Sequence, residues 1–239
     1  MRAYKHPNIV TLLGFCDEGD GMMLVYEHIF ERSLDDYMKN VDNMYNFSWT
    51  HRLRMCLEIA RGLHHLHTKM ANQSIIHTDI RSANILLDKN GVAKIGYFVI
   101  SSLHPRKQEI GMKVYEGPGS ETTGKMKKES DIYSLGVVLF EIFCWRVAYD
   151  PVYIEENGKG LAPVAKQCYD DGTIQRIMDP RLKEETGHED ISTSNILPKQ
   201  DSLDAFLKIA YECLGEAAKR PTIEMVIKEL ETALKLQDP

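Results

Sequence analysis

The sequence lacks a long apolar run, a paired-cysteine motif and a dense stripe of basic residues. No run is long enough to span a bilayer, and the first five residues lack the apolar core of a signal peptide. The five cysteines are widely spaced, odd in number and contain no Cys-x-x-Cys pair. We therefore expect a reduced, cytoplasmic environment and no direct insertion into a membrane.

Basic charge is scarce as well. The net charge is −6, which argues against a nucleic-acid partner. Lys125, Lys127 and Lys128 form the one notable basic cluster, and we interpret it as part of a solvated loop rather than a ligand site. What the chain does have is ordinary globular composition, with 43% apolar and 27% charged residues, enough to bury a core.

Apolar periodicity predicts a strand pair, a second strand pair and several helices. Residues 9–13 and 22–26 are apolar runs around an acidic, glycine-containing turn, and residues 85–87 and 92–95 flank a turn at 88–91. Ser48 is a candidate cap for an amphipathic helix that follows it. A helix from Ser130 is apolar on every side, which is typical of a helix at the centre of a domain.

The last third of the chain is predicted to end in two helices. Residues 154–202 are mixed and polar, and residues 186–200 are expected to form a mobile loop. Apolar spacing predicts helices over 203–214 and 223–234, with Pro221 in the first turn of the second one.

Residues 77–84, which read HTDIRSAN, nearly match the catalytic loop of a protein kinase. Other pieces match in family order: HPNIVTLLGFC (6–16), LVYE (24–27), ARGLHHLH (60–67), SDIYSLGVVLFEI (130–142) and KRPT (219–222). With these features the chain resembles a plant receptor-like or receptor-like cytoplasmic serine/threonine kinase domain. The resemblance implies an α+β, protein-kinase-like fold: residues 1–30 would be a remnant of the N-lobe with the hinge, and residues 31–239 a mostly helical C-lobe.

The resemblance also implies site residues. The vestigial catalytic loop would contain Asp79, Arg81 and Asn84, with Asn84 also the remaining metal ligand. The vestigial adenine pocket would contain Tyr26 as gatekeeper, the backbone of Glu27 and Ile29, and Leu86 as the floor. Packing roles fall to His77, Phe98, Leu12 and Asp131.

Several positions depart from the family pattern. Tyr97 replaces the metal-holding Asp, and a neutral phenol is a poor substitute for a carboxylate on magnesium. Thr78 replaces an Arg and Val99 replaces a Gly that lets the metal loop turn. The glycine-rich loop, the strand-three Lys and its Glu partner would all precede residue 1.

A further departure concerns Arg220. Gly119 replaces the Glu that would pair with Arg220, so we expect Arg220 to be exposed or to use another acceptor.

Three hypotheses follow. The first is a pseudokinase that binds other proteins, such as other kinase domains; it expects no cofactor to bind well, although ATP and magnesium are the family's ligands. The second is a serine/threonine kinase with weak residual activity, and the third is a fragment without a role of its own. Family resemblance also suggests association with the plasma membrane.

Some residues have simpler interpretations. Asp79 could hold the loop by hydrogen bonds rather than act as a base. His64, His65 and His67 lack a carboxylate or Cys at ligand spacing, and we interpret them as ordinary surface and core residues. Cys144 and Cys213 are predicted to be buried thiols.

Overall fold

A computed structural model describes residues 5–18, 21–29, 32–40, 47–68, 75–97, 113–118, 127–183 and 197–238. Its strands are β1 (Leu12–Glu18), β2 (Gly21–Tyr26), β3 (Ile85–Leu87) and β4 (Ala93–Ile95). Its α-helices are α1 (Leu34–Lys39), α2 (Trp49–Thr68), α3 (Lys128–Cys144), α4 (Pro151–Asn157), α5 (Leu161–Asp170), α6 (Gln200–Cys213) and α7 (Ile223–Gln237). The predicted α+β architecture, mostly helical with small strand pairs, is confirmed.

Both predicted strand pairs are antiparallel hairpins, β1 with β2 and β3 with β4. The first strand begins later than predicted, at Leu12 instead of residue 9. Ile9 forms a parallel bridge with Ile95, and the Val10 amide donates to the Ile95 carbonyl at 2.9 Å. Because those backbone groups pair with β4, they join the hairpin to the second strand pair before β1 starts.

The helix predicted to be buried all round is α3. Thirteen of its residues are buried, including the ionisable side chains of Asp131 and Glu141. Its other buried side chains are largely aliphatic and aromatic, and they contact neighbouring helices on several sides. A helix in this position supports the elements packed around it. It is apolar on all sides because a polar face would have no water to contact.

The core beside α3 is aromatic. The Trp49 ring lies edge-on to the Phe206 ring, with centroids 4.9 Å apart, and Phe143 lies against both. The indole nitrogen of Trp49 donates to the Ser202 hydroxyl at 2.9 Å, so its polar group is satisfied. These contacts fix α2 and α6 on the central helix.

The structure corrects several of the helix predictions. Thr222 caps α7 by accepting from the Met225 amide, so Pro221 precedes the helix and does not lie in its first turn. The short helices α1, α4 and α5 were not predicted individually. Most of the predicted loop at 186–200 lies outside the described residues, and its last residue already begins α6.

In the part of the chain that the structure describes, no helix combines the length and the apolar character needed to cross a bilayer.

Candidate functional site

The loop at residues 77–84 is held from beneath by Asp131 of α3. One carboxylate oxygen of Asp131 accepts the His77 amide at 2.8 Å, and the other accepts the Thr78 amide at 2.7 Å. The imidazole of His67, at the end of α2, lies 2.8 Å from the same carboxylate. Asp131 is 1% exposed, so these donors replace the water that the charge has lost.

This support holds a backbone conformation that is uncommon for a β-branched residue. Thr78 has a φ of 67°, in the left-handed region. Such a conformation costs free energy and persists where neighbouring contacts determine it. The bond from the Thr78 amide to Asp131 is one of those contacts.

Asp79, Arg81 and Asn84 do come together. The Asn84 side-chain amide donates to both the Asp79 carbonyl and the Asp79 carboxylate, each at 2.9 Å. The Arg81 guanidinium lies 3.4 Å from the other carboxylate oxygen, and the Asp79 amide donates to the His77 ring at 3.2 Å. The Asp79 carboxylate is therefore engaged by its own loop, which is the geometry that the hydrogen-bonding interpretation requires.

Tyr97 lies beside this loop and follows Gly96, whose backbone is held by hydrogen bonds. The Gly96 amide donates to the Asn84 carbonyl at 2.9 Å, and the His77 ring lies 2.9 Å from the Gly96 carbonyl. Tyr97 follows directly, with a left-handed φ of 62° and a half-exposed side chain. Phe98 and Val99, which also bear on the family comparison, lie outside the described residues.

The expected adenine-pocket residues come from the end of the hairpin and from β3. Tyr26 ends β2, Glu27 and Ile29 follow it, and Leu86 lies in β3. The Glu27 amide donates to the Thr11 carbonyl at 2.8 Å, which continues the pairing of the hairpin for one more residue. Their role in binding remains a prediction.

An ion pair that sequence reasoning missed joins the end of the hairpin to β4. The Glu27 carboxylate accepts the Thr11 amide at 2.8 Å and the Lys94 ammonium at 3.1 Å. Burial opposes the charge, but these donors lower the pKa of Glu27 below its usual value. No sequence signal joins residues 67 positions apart, so only the fold reveals the pair.

A second missed network lies beneath the loop, around Glu141 of α3. One oxygen of Glu141 accepts the Tyr115 hydroxyl at 2.5 Å, the Ser82 hydroxyl at 3.1 Å and the Ala148 amide at 2.7 Å. The other oxygen has no partner among the described residues. Burial raises the pKa of Glu141 to about 8, against the effect of its donors.

The expectation for Arg220 is confirmed. Its guanidinium donates to the Gly215 carbonyl at 2.9 Å and to the Glu129 carbonyl at 2.8 Å, and it lies over the Tyr133 ring at 4.9 Å. Arg220 has thus found other acceptors, and burial lowers its pKa. Gly119 lies outside the described residues.

The histidines and cysteines have ordinary environments. His64 lies 3.4 Å from Glu224, His65 stacks on His6, and His67 is buried against Asp131. Cys144 and Cys213 are buried thiols, as predicted, and burial raises the pKa of each far above the usual value. Across the described residues, no group of three or more His, Cys, Asp or Glu side chains could hold a metal.

The donor set of the loop does not fit a magnesium ion with its nucleotide. Magnesium prefers carboxylate oxygens, usually with one or two carboxylates from the protein. Here Tyr97 supplies a phenol, and Asn84, whose side-chain nitrogen donates to Asp79, has only a neutral amide oxygen to offer. Asp79 itself is shared between Arg81 and Asn84.

Comparisons with known proteins agree on one family. A sequence profile described as protein tyrosine and serine/threonine kinase matches residues 1–230. The receptor-like protein kinases THESEUS 1 and FERONIA of Arabidopsis thaliana are 36% and 34% identical to the chain over 242 residues, which are 98% of it. The chain spans about a quarter of each of these relatives (26% and 25%).

A solved structure is also similar. It is described as the pseudokinase domain of BIR2, an immune regulator of the RLK/Pelle family. The match has a TM-score of 0.78 and 27% sequence identity, and it covers 98% of this chain and 67% of that one. The expected kinase-like fold is thereby confirmed.

Asp131→Asn should destabilise the protein, because one acceptor oxygen becomes an amide group that faces a donor. We expect a loss of about 2 to 3 kcal/mol in the free energy of unfolding, the typical cost of buried donors left unsatisfied. Urea unfolding followed by circular dichroism measures it. Asp201→Asn, an exposed change in the first turn of α6, is the matched control and should cost less than about 0.5 kcal/mol. Equal losses would show that Asp131 does not support the loop.

Glu141→Gln should alter how stability depends on pH. Because the pKa of Glu141 is about 8 in the folded protein, the fold retains a proton that the unfolded chain releases near pH 4.5, and stability falls as pH rises between these values. The neutral Gln removes this contribution, which is on the order of 1 kcal/mol per pH unit. Urea unfolding at pH 5, 6, 7 and 8 should show the variant gaining on the wild type at each step. Parallel curves would contradict a raised pKa.

Proposed function

Because this chain belongs to the protein tyrosine and serine/threonine kinase family, we propose that it is a pseudokinase domain of the plant receptor-like type, acting in signalling by binding other proteins. The family generally uses ATP and magnesium. The observation that carries the proposal is the replacement of the metal-holding carboxylate by Tyr97, directly after the anchored Gly96.

Phosphoryl transfer depends on positioning and on charge around the phosphates. One missing electrostatic group typically costs about a hundred- to a thousandfold in turnover. A phenol at position 97 removes such a group, and nothing in the described loop replaces it with a second carboxylate.

The intact support of the loop fits a binding function. Asp131, His67 and His77 maintain the backbone of the loop although the metal ligand is gone. A loop whose backbone is held in place in this way can form part of a surface that other proteins recognise. The similar BIR2 domain is itself described as a pseudokinase and an immune regulator.

The hairpin offers an exposed apolar surface for such contacts. Phe15 is 51% exposed, Met23 62% and Val25 52%. Exposed apolar groups clustered on one small element are a mark of protein contact. We propose that the protein binds other proteins, with other kinase domains among them. We also propose a cytoplasmic location, at the plasma membrane by analogy with the receptor-like relatives.

A serine/threonine kinase with weak residual activity is the second candidate, because Asp79 and Asn84 are both retained and lie 2.9 Å apart. It differs from the first in one measurable respect, the response to Mg-ATP.

We expect Mg-ATP to leave the melting temperature of the purified chain unchanged. A ligand at one hundred times its dissociation constant would add about 2.7 kcal/mol to stability, a readily detected shift. Melting is followed with Mg-ATP, with magnesium alone and with ATP plus a chelator, and transfer of labelled phosphate to a generic substrate is measured alongside. Asp79→Asn sets the background. A saturable shift together with transfer that Asp79→Asn abolishes would establish the residual kinase instead.

Protein binding is tested against purified kinase domains of the matched receptor-like kinases. Because Phe15 and Val25 lie on opposite faces of the hairpin, we expect at least one domain to bind and one of the two variants, Phe15→Ser or Val25→Ser, to weaken that binding at least tenfold by removing apolar contact area. Val152→Ser is the matched control, because Val152 is 50% exposed on α4, away from the hairpin. Biolayer interferometry gives the dissociation constants. Absence of binding to every domain, or equal losses in all three variants, would contradict this part of the proposal.

A further inference from the structure

A cavity of about 560 Å³ is lined by three pieces of the chain: the end of α1, residues between 144 and 151, and residues 179–181. The second piece leads from the end of α3 to the start of α4. Pockets that bind ligands typically have volumes of about 300 to 1,000 Å³. This cavity is therefore large enough to admit a side chain of another protein.

Basic side chains outnumber acidic ones in the lining of the cavity. Lys39, Arg146 and Arg181 are the basic residues, and Asp150 and Asp179 are the acidic ones. The chain as a whole has a net charge of −6, so the cavity has the opposite sign to the rest of the molecule. Arginine predominates here, and its planar fork of donors suits the oxygens of a carboxylate or a phosphate.

A second cavity, of about 500 Å³, adjoins the first and is lined by Arg32, Asp36, Lys39 and Asn40. Lys39 and Asn40 line both cavities, so the two are continuous around the end of α1. Arg32 adds a further cation, and Asp36 is already engaged, because it accepts the Ser33 amide at 3.2 Å. A single small ion would occupy only part of this surface, whereas a peptide with an anionic side chain would extend along it.

The arginines of the cavity retain donors for a ligand. Among the described residues Arg146 has one partner, Asp150 at 3.2 Å, and its side chain is 56% exposed. Arg181 uses its Nε and one Nη on Asp179 and is 37% exposed. Because a guanidinium has five N–H donors, both residues can bind a further acceptor.

The resident aspartates decide which anion fits best. A carboxylate from a partner would bring the same charge as Asp150, which already pairs with Arg146. A phosphorylated side chain carries a charge of about −1.5 to −2 and three strong acceptor oxygens. It can therefore bind the free donors while the existing pairs stay in place.

The wall of the cavity is held in position by Asp179. Asp179 is buried and accepts hydrogen bonds from Arg52 and Arg181. The two guanidiniums lie over the Trp145 ring, 4.7 and 5.5 Å from its centroid. Trp145 itself has a left-handed φ of 51°, a conformation that persists where surrounding contacts determine it and that is frequent at ligand sites.

Trp145 also offers a donor. It lines the cavity and is 7% exposed, and its indole N–H has no acceptor among the described residues. Most tryptophan N–H groups in such buried positions find a partner. A ligand in the cavity would supply the missing acceptor.

We propose that this cavity binds a phosphorylated side chain of a partner protein, with Arg146 and Arg181 holding the phosphate beside Trp145. The domain would then bind this partner only after the partner has been phosphorylated. The site goes beyond the proposed function, because none of its residues belongs to the hairpin or to the catalytic loop. It also holds whether or not the chain transfers phosphate.

Immobilised peptide libraries test the site. Each library contains short peptides with random flanks around one fixed central residue: phosphoserine, phosphothreonine, phosphotyrosine, glutamate or serine. Binding of the purified chain is measured by biolayer interferometry in a buffer without phosphate. We expect at least one phosphorylated library to bind at least tenfold more tightly than both the glutamate and the serine library.

Two arginine variants locate the binding. Arg146→Gln removes a cation of the cavity and should weaken binding to the preferred library at least tenfold. Arg176→Gln is the matched control, because Arg176 is 55% exposed and pairs with Glu156 at 2.9 Å but lines neither cavity. It should leave the dissociation constant within twofold. Both arginines are exposed, so both variants should melt like the wild type, which circular dichroism checks.

Tryptophan fluorescence gives an independent readout. The chain has two tryptophans; Trp49 is fully buried in the core, whereas Trp145 lines the cavity. Saturation with a peptide of the preferred library should change the emission of the wild type. Phe15→Ser should leave this change intact, which separates the cavity from contacts made by the hairpin.

Four results would overturn the proposal. Equal binding to the serine and the phosphorylated libraries would show that phosphate is not recognised. Equal binding to the glutamate library would identify a carboxylate as the ligand instead. Equal losses in Arg146→Gln and Arg176→Gln would reduce the effect to overall charge, and saturation without any change in emission would place the peptide away from Trp145. None of these outcomes depends on the response to Mg-ATP.

Discussion

The carboxylate of Asp131 is the point on which the candidate site depends. It lies near the start of the most buried helix of the protein and accepts hydrogen bonds from two successive amides of the catalytic loop. A carboxylate with no water around it must be fully engaged by donors, so the loop is held at both amides at once. These hydrogen bonds set the positions of Asp79 and Asn84 within the loop, and that of Gly96 through the His77 ring.

In this arrangement, the residues that hold the loop in place are different from those that would contact phosphate or metal. The residues that hold the loop are those the family pattern expects, whereas two of the departures, Thr78 and Tyr97, fall where the chain would meet phosphate or metal. Thr78 still donates its amide to Asp131, because a backbone bond does not depend on the side chain. The support of the loop therefore does not depend on the side chains at these two positions, which is consistent with the proposed pseudokinase.

Sequence patterns predicted the elements whose signal is local. The all-round apolar run predicted the buried helix α3, and turn residues between apolar runs predicted both hairpins. Two missed helices carried local signals as well: Ser33 and Asp36 form a capping box at the start of α1, and Asp150 with Pro151 begins α4. Those signals were short, and helices of six or seven residues have little periodicity to support them.

What the sequence could not predict depends on long-range contacts. Glu27 meets Lys94, and Glu141 meets Ser82 and Tyr115, over separations of 26 to 67 residues. The late start of β1 has the same origin, because Ile9 and Val10 are apolar enough for a strand with β2 but pair with Ile95 instead. A motif could place Asp79 and Asn84 in one loop, whereas their mutual hydrogen bond needed the folded geometry.

The hairpin shows how strand register limits what can cover a surface. Phe15 pairs with Leu24, whereas Val25 pairs with Gly14 and Met23 with Cys16. Directly opposed residues share a face and neighbours along a strand alternate, so Phe15 lies on one face while Met23 and Val25 lie on the other. Both faces are therefore apolar and exposed. A single flat partner can bury only one of them, so full burial of this hairpin requires polypeptide on two sides.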